Sequence, residues 1–559
     1  MSGRTNRVWQ SVLGVSAVLI LLVALLGGAP SGRLARATNA RVASGKTAVD
    51  PPPVRKDLST LTAAELTALR NGVLAMMTPD CAAGHTAPTC EQEANGTKLN
   101  GLSPLGWRYQ AFIHGRPPLL PGMMNQPAWN TCQHSTWFFL SWHRMELYFF
   151  ERILRKASGS ATLTLPYWNF SPQPKLPPSF RAEMVGGAPN PLWWKFRNAR
   201  LNVDNDPLAA AVVTSEDAFR QTAFFTNVTK NGLMSFGGGA SQIDVHLSDS
   251  PGQGQIEDTP HNAVHGAVGD GTVSSMSNPD GAGLDPIFWP VHANIDRAWA
   301  CWQDKHAGSE PKSDAWLNSV KFTFFDIQDA APGYKEVTMS GKDVINTATQ
   351  LNYTYDNLCN GFQVPTPVPM IEAAAPPAST SENNARASRP SNGVLSVTVE
   401  SHGILAAEPM TVSIQLSHEI QTRIENLMRA PAPAGSMLLT ITGIALDEPT
   451  AAWYQIYLNL PPGALAREQN DRRIGNLSFF GFGHHQDETG SIHAMSHGKT
   501  LVYDITNVVR QLIADGVWRQ DEVSVTFTNP AAEEPEYVFP PTAPDYARAR
   551  FASLSLTVK

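Results

Sequence analysis

Residues Cys132 to Arg152 read CQHSTWFFLSWHRMELYFFER. From Ser135 to about Lys156, Phe139, Trp142, Leu147, Phe150 and Leu154 alternate with His, Arg and Glu, which predicts a helix that is apolar nearly all round and therefore central to a core. His143 lies inside that helix. An unpaired polar ring buried there would cost about 1–3 kcal/mol, so the imidazole needs a partner, and a metal ion is one candidate.

Working outward, two more histidines, His114 and His134, stand upstream of His143, and three others follow at His261, His265 and His292. In the stretch TPHNAVH, residues 259–265, Thr259 is expected to cap a helix with Pro260 in its first position. The four-residue spacing of His261 and His265 then stacks both imidazoles on one face. His292 begins a further helical stretch whose apolar stripe is Ile295, Trp299 and Trp302, so its ring faces the same core. Pro290 is expected to interrupt any helix already running from Pro286, which would restart near it. A single buried histidine is more often bonded to a backbone carbonyl than to a metal. Two sets of three among aromatic helices are not covered by that explanation. Neutral imidazole suits zinc, copper, iron and nickel alike, and a ligand set without carboxylates leans towards copper.

The remaining chemistry sets bounds. A chain of 559 residues with 42% hydrophobic content suits two domains. Its formal charge of -7, with no basic block beyond the N-terminus, offers no grip on phosphate backbones and excludes nucleic acid as a partner. Arg4 and Arg7, an apolar run from Val12 to Ala29 and the triplet Ala35, Arg36, Ala37 have the order of a secretory signal over residues 1–37. The run is close to the length of a membrane span, so the alternatives are export or attachment through this segment alone. Residues 38–53 read as a flexible lead-in. Five cysteines in an exported chain suggest two disulfides, Cys81 with Cys90 and Cys301 with Cys359, which leaves Cys132 over.

Thr62, Glu65 and the Leu61/Leu66 pair mark a capped helix start, with the helix running to about Met77. Residues 364–392 turn to Pro, Ala, Ser, Thr and Asn and read as a linker. Beyond it, Val394 to Val399, Met437 to Ile444, Trp453 to Leu460 and Val523 to Phe527 alternate apolar and polar positions, as strands of a small antiparallel sandwich do. The expected architecture is a mainly helical domain over 54–363 followed by a β domain over 393–559.

The 132–152 stretch resembles the first copper-binding signature of tyrosinases, catechol oxidases and molluscan haemocyanins. Pro260 to His265, with DPIFWPVHANIDRAW over 285–299, resembles the second, and Tyr353 to Asp356 is similar to the tyrosine motif that closes the catalytic domain. The resemblance covers roughly residues 54–362. It implies a four-helix core in which His114, His134 and His143 bind one copper ion and His261, His265 and His292 the other, with molecular oxygen as co-substrate and small phenols as substrates. It also implies a thioether between Cys132 and His134, as in fungal tyrosinases and molluscan haemocyanins. One departure is Val291, where family members usually carry a second histidine beside His292.

Bringing a phenol to copper as phenolate near pH 7 costs about 3 pKa units, roughly 4 kcal/mol. The resemblance assigns Glu257 and Asn262 to a water that takes the phenolic proton. Pro279 falls where plant catechol oxidases place a bulky phenylalanine, and an open site of that kind favours hydroxylation of monophenols besides oxidation of o-diphenols to o-quinones. Trp453 to Asn459 and Gly475 to His485 resemble the β domain that covers the site in latent plant polyphenol oxidases, which implies a shielded precursor. The alternatives are a catechol oxidase without monophenolase activity, a haemocyanin-like oxygen-binding protein, and a zinc hydrolase. The single copper pair and absence of internal repeats argue against the carrier. His484, His485, His493 and His497 form a loop cluster of a kind that can bind metal.

Overall fold

The computed structural model describes residues 51–78, 102–115, 128–226, 235–240, 252–364, 394–429, 435–481 and 498–559, apart from positions 449, 520 and 546, together with the backbone of 485–486 and 492–493. The N-terminal apolar run, Cys81, Cys90, nearly all of the linker and the side chains of the His484–His497 cluster lie outside the described residues.

Five helices frame the first part: α1 (Ala63–Met77), α2 (Trp107–His114), α3 (Phe139–Ser158), α4 (Ala263–Val268) and α5 (Phe288–Lys305). The expected capping box opens α1, with the Thr62 hydroxyl accepting from Glu65 N and the Glu65 carboxylate accepting from Thr62 N. Helix α3 starts four residues later than its apolar pattern suggests. Ser135 adopts a left-handed conformation (φ 54°), and Trp137 N donates to Gly239 O at 3.1 Å, so residues 134–138 form a turn. Gly159, at φ 69°, ends the helix in the left-handed conformation that glycine tolerates best.

Two other expectations are corrected. Pro290 does not break α5, because it occupies the third helical position, where the missing N–H has no intrahelical acceptor to lose. Thr259 has extended backbone (φ -145°, ψ 124°) but caps nothing. Its hydroxyl bonds Asp258 Oδ2 at 3.0 Å and accepts from Asn476 Nδ2 at 2.7 Å.

Small strands close the helical part. β1 (Val54–Arg55) pairs in parallel with β4 (Thr354–Tyr355), and β2 (Phe322–Ile327) pairs antiparallel with β3 (Tyr334–Met339). Beyond the linker stand β5 (Leu395–Leu405), β6 (Met410–Gln415), β7 (Met437–Ile444), β8 (Trp453–Leu458), β9 (Arg473–Ser478), β10 (Lys499–Asp504), β11 (Glu522–Thr528) and β12 (Ala549–Val558). They form two antiparallel sheets, ordered β9-β8-β11-β6 and β10-β7-β12-β5. Val523, Val525 and Phe527 point into a core shared with Ile414, Ile456 and Leu554, while Ser524 and Thr526 face away, the period-two alternation of a sandwich. Two amphipathic helices, His418–Arg429 and Thr506–Ala514, accompany the sheets and were not read from the sequence.

The sandwich packs on the helical part within one unit, Pro52–Lys559. Trp453 and Phe539 enter the same core as the helices. Val538 exchanges backbone bonds with Pro207 O (2.7 Å) and Ala209 N (3.0 Å), and Arg473 pairs with Asp217 at 3.1 Å.

Candidate metal centre

Each of the six histidines is delivered by a different local device. His114 is the last residue of α2, His134 sits in the turn before α3, and His143 lies one turn into α3. His261 precedes α4 and His265 belongs to it, while His292 is one turn into α5. None is more than 4% exposed.

Their rings converge. In the first trio the centroids are 5.4 Å (His114 to His134), 5.5 Å (His114 to His143) and 5.5 Å (His134 to His143) apart. In the second they are 4.5 Å (His261 to His265), 4.9 Å (His261 to His292) and 5.2 Å (His265 to His292) apart. The trios touch through His143 and His292, stacked at 4.6 Å and 20°. Among the described residues, potential ligand atoms within 4.8 Å of one another form two groups, His114 with Cys132, His134 and His143, and His143 with His261 and His292. The sequence reading placed His143 in the first trio alone; here it faces both. His265 stands outside the second group, yet its Nε2 lies 3.0 Å from His292 Nε2.

Backbone carbonyls orient the rings. A carbonyl only accepts, so Nδ1 donates from His143 to Phe139 O (2.7 Å), from His265 to Met276 O (2.7 Å) and from His114 to Pro279 O (3.0 Å). His261 Nδ1 instead donates to Asn262 Oδ1 at 2.8 Å. Each leaves Nε2 free of a proton for the centre. Burial lowers His265 to about 4 and holds His261 and His292 well below the usual histidine range, so all three are neutral. His261 Nε2 and His292 Nδ1 are buried with no hydrogen-bond partner among the described residues. Converging neutral nitrogens fit a metal pair.

Cys132, buried and not in a disulfide, has its Sγ 3.6 Å from His134 Nδ1 and 3.8 Å from His134 Nε2. The sulfur is thus nearly equidistant from the two ring nitrogens. It is also 3.3 Å from His143 Nε2. Cys301 and Cys359 are joined in a disulfide.

Glu257 Oε1 accepts from Ser135 N at 2.7 Å, and Oε2 is buried without a partner among the described residues. Burial raises this carboxyl to about 8, against the pull of the Ser135 N–H and the Lys499 ammonium. Asp258 beside it is raised to about 7, again by burial.

Several contributors were not legible beforehand. Phe480, in the turn after β9, stacks on His265 at 4.4 Å and 29° and meets His134 and His261 edge-on, each at 5.8 Å. Lys499 of β10 reaches across from the sandwich, 96% buried, and donates to Ser135 Oγ at 3.2 Å. No local pattern marks a phenylalanine and a lysine of the sandwich as belonging to a site among the helices. Glu146, one turn after His143, is a further buried carboxyl, pushed well above its usual range by burial, with both oxygens unpartnered among the described residues.

Comparison with known proteins agrees with this geometry. Residues 104–305 match the family model described as the common central domain of tyrosinase, and residues 397–536 match a domain of unknown function, DUF7868. The tyrosinase HcTyr1 of Hahella sp. is 31% identical over 460 residues, covering 76% of this chain and 88% of that protein. A chloroplastic polyphenol oxidase of Malus domestica is 26% identical over 358 residues, and the match spans 59% of this chain and only 56% of that enzyme. Among solved structures, a latent apple tyrosinase superposes with a TM-score of 0.53 at 21% identity, covering 91% of this chain and 97% of that one. A latent aurone synthase gives 0.53 at 19%, covering 91% and 90%. These two share the fold, helical part and sandwich together. With a relative matched along nearly nine-tenths of its length, and the family's central domain falling on the segment that carries all six histidines, this chain belongs to the tyrosinase family.

Proposed function

We propose that the chain is a dicopper phenol oxidase of the type 3 class, which hydroxylates monophenols and oxidises o-diphenols to o-quinones with molecular oxygen. The observation that carries this is the convergence of six buried imidazoles, His114, His134 and His143 in one set and His261, His265 and His292 in the other. His114, His134 and His143 would hold one copper ion, and His261, His265 and His292 the other. Bound copper would supply the two-electron chemistry between phenol and dioxygen.

The chain's own residues do the rest. Glu257 Oε2, buried and without a partner among the described residues, is the atom that takes the phenolic proton, directly or through a water shared with Asn262, in the ionised fraction of this carboxyl, which grows as pH rises towards about 8. Asn262 also orients His261. Cys132 closes a thioether on the His134 ring carbon: an S–H and a C–H bond break, an S–C bond forms, and two electrons and two protons pass to dioxygen. The crosslink would fix the one ligand that sits on a loop.

The sandwich, residues 393–559, keeps the 54–363 domain latent by placing Phe480 where a phenol ring would lie against His265. The linker 364–392 is where cleavage would release it. The N-terminal segment, residues 1–37, directs export or anchors the chain, and the Cys301–Cys359 disulfide is in keeping with an oxidising compartment. No helix among the described residues is long and apolar enough to cross a membrane.

The test is oxygen uptake by copper-loaded protein with a monophenol and with catechol, before and after limited proteolysis in the linker. Uptake with both, rising after cleavage, is expected. Uptake with catechol alone would identify a catechol oxidase, and none despite two bound copper ions would leave an oxygen-binding protein.

A further inference from the structure

One short loop touches both trios. It leaves the end of α4 at Gly269 and runs to Gly281. Within it, Met276 O accepts from His265 Nδ1 at 2.7 Å and Pro279 O accepts from His114 Nδ1 at 3.0 Å. Two carbonyls three residues apart therefore fix the tautomer and direction of one ring from each set.

The loop is built to hold those carbonyls still. Three successive turns close on themselves, Ser275 N to Thr272 O (3.2 Å), Asn278 N to Ser275 O (3.1 Å) and Gly281 N to Asn278 O (3.1 Å). Inside them the Ser277 hydroxyl accepts from Gly271 N at 2.9 Å and bonds the Ser275 hydroxyl at 2.8 Å, which donates on to Thr272 O at 2.8 Å. Trp194 Nε1 pins Ser274 O from outside at 2.8 Å. Both ends are wedged by glycines. A Cβ on Gly269 would stand 2.1 Å from Ser277 N, and one on Gly115, directly after His114, 2.3 Å from Asp280 O. These neighbours are backbone atoms, so the loop sits as close to the ends of α2 and α4 as a chain can.

We propose that the loop Gly269–Gly281 is a shared yoke, with Ser277 and Gly269 as positioning residues for both metal positions at once. A displacement of Met276 O that turns His265 is carried through two residues to Pro279 O and turns His114. Neither residue touches a reacting atom. The consequence at the metal rests on the dicopper reading, whereas the coupling of the rings does not.

The test therefore has two arms. In the metal-free full-length chain labelled with 15N-histidine, Ser277→Ala and Gly269→Ala are each expected to shift the Nδ1–H resonances of His114 and His265 together. Ser277→Ala introduces no clash and serves if Gly269→Ala fails to fold. A change at His265 with His114 as in the wild type, or no change at either, would overturn the yoke. In the second arm, copper titration of Ser277→Ala should show an affinity about 10–100-fold weaker at both positions, the usual effect of removing support behind a ligand. Weakening at one position alone would overturn the proposal. A wild-type chain that takes up no copper pair would instead sink the dicopper reading, and the resonance arm would still decide the loop.

Discussion

Replacing Phe480 with alanine tests the proposal that the sandwich shuts the site. The ring is 96% buried and contacts three of the six histidines, one by stacking and two by its edge. Truncating a buried phenylalanine to alanine removes about 3–5 kcal/mol of packing. Here most of that loss falls on the closed arrangement, because an open sandwich would leave the ring in water. At about 1.4 kcal/mol per decade, the open or unplugged population of the uncleaved chain should grow by two to three orders of magnitude, limited by full opening. The assay is oxygen uptake with catechol by copper-loaded, uncleaved protein, set beside the same chains cut in the linker. Phe480→Ala should raise the uncleaved rate at least ~10-fold towards that of the cut wild type. Cutting the variant should then add little, and the two cut chains should match. An uncleaved variant no faster than uncleaved wild type would refute the reasoning, as would a wild type on which cleavage has no effect.

Glu257→Gln keeps the shape but cannot take a proton, so oxygen uptake with a monophenol should fall by about 10²–10⁴-fold at unchanged copper content; an unchanged rate would remove Glu257 from the proton transfer. In protein loaded with copper in air, the peptide bearing Cys132 and His134 should have lost two hydrogens by mass spectrometry and resist alkylation, and Cys132→Ser should abolish both signs; an alkylatable thiol at unshifted mass speaks against the thioether. Burial raises Asp258 from 3.8 to about 7, so the folded chain holds a proton that the unfolded chain releases over that interval. The stability this group confers is present below about pH 4, is lost as pH rises through about 7, and costs up to about 1.4 kcal/mol per pH unit on the way. Asp258→Asn should flatten the fall in thermal midpoint of the metal-free chain between pH 4.5 and 7 by about one proton's slope, and an unaltered profile would show that this carboxyl does not titrate there.

What the sequence disclosed was what is local. The capping box of α1 depends on Thr62 and Glu65 alone, and the strands declare themselves by alternation, as in β11. Five of the six histidines were legible because each belongs to a contiguous signature, and His114 because it stands upstream of the first. Where a residue's conformation answers to something distant, the reading failed. Thr259 has the type and backbone of a cap, but Asn476 of the sandwich and Asp258 take its hydroxyl. Ser135 belongs to the apolar pattern of α3, but a Glu257 oxygen and Lys499 hold it in a left-handed turn outside the helix. Pro290 looked disruptive only because the helix was expected to run already from Pro286, whereas it starts at Phe288.

The ion pairs behind the site show why so much of it still came through. Arg144 directly follows His143, and Asp296 lies four residues after His292. Their side chains meet at 2.5 Å, so α3 and α5 are braced next to the two stacked histidines. Burial alone would raise Asp296, yet Arg144 and Arg55, with hydroxyls from Tyr353 (2.6 Å) and Tyr355 (2.5 Å), hold it below its usual range. A buried pair of this sort gives little net stability over a well-packed apolar core, whereas losing one partner costs about 3–5 kcal/mol. Its value here is register: Arg144, Arg55 and both tyrosines all meet Asp296 in the arrangement in which His143 faces His292. The signatures extend past the histidines to Arg144, Asp296 and the closing tyrosines because the same helices that present the ligands must be locked in phase. The sandwich obeys no such constraint of phase, since Phe480 need only reach the histidines and Lys499 the Ser135 hydroxyl, and that freedom is why their contacts appear only once the chain is folded.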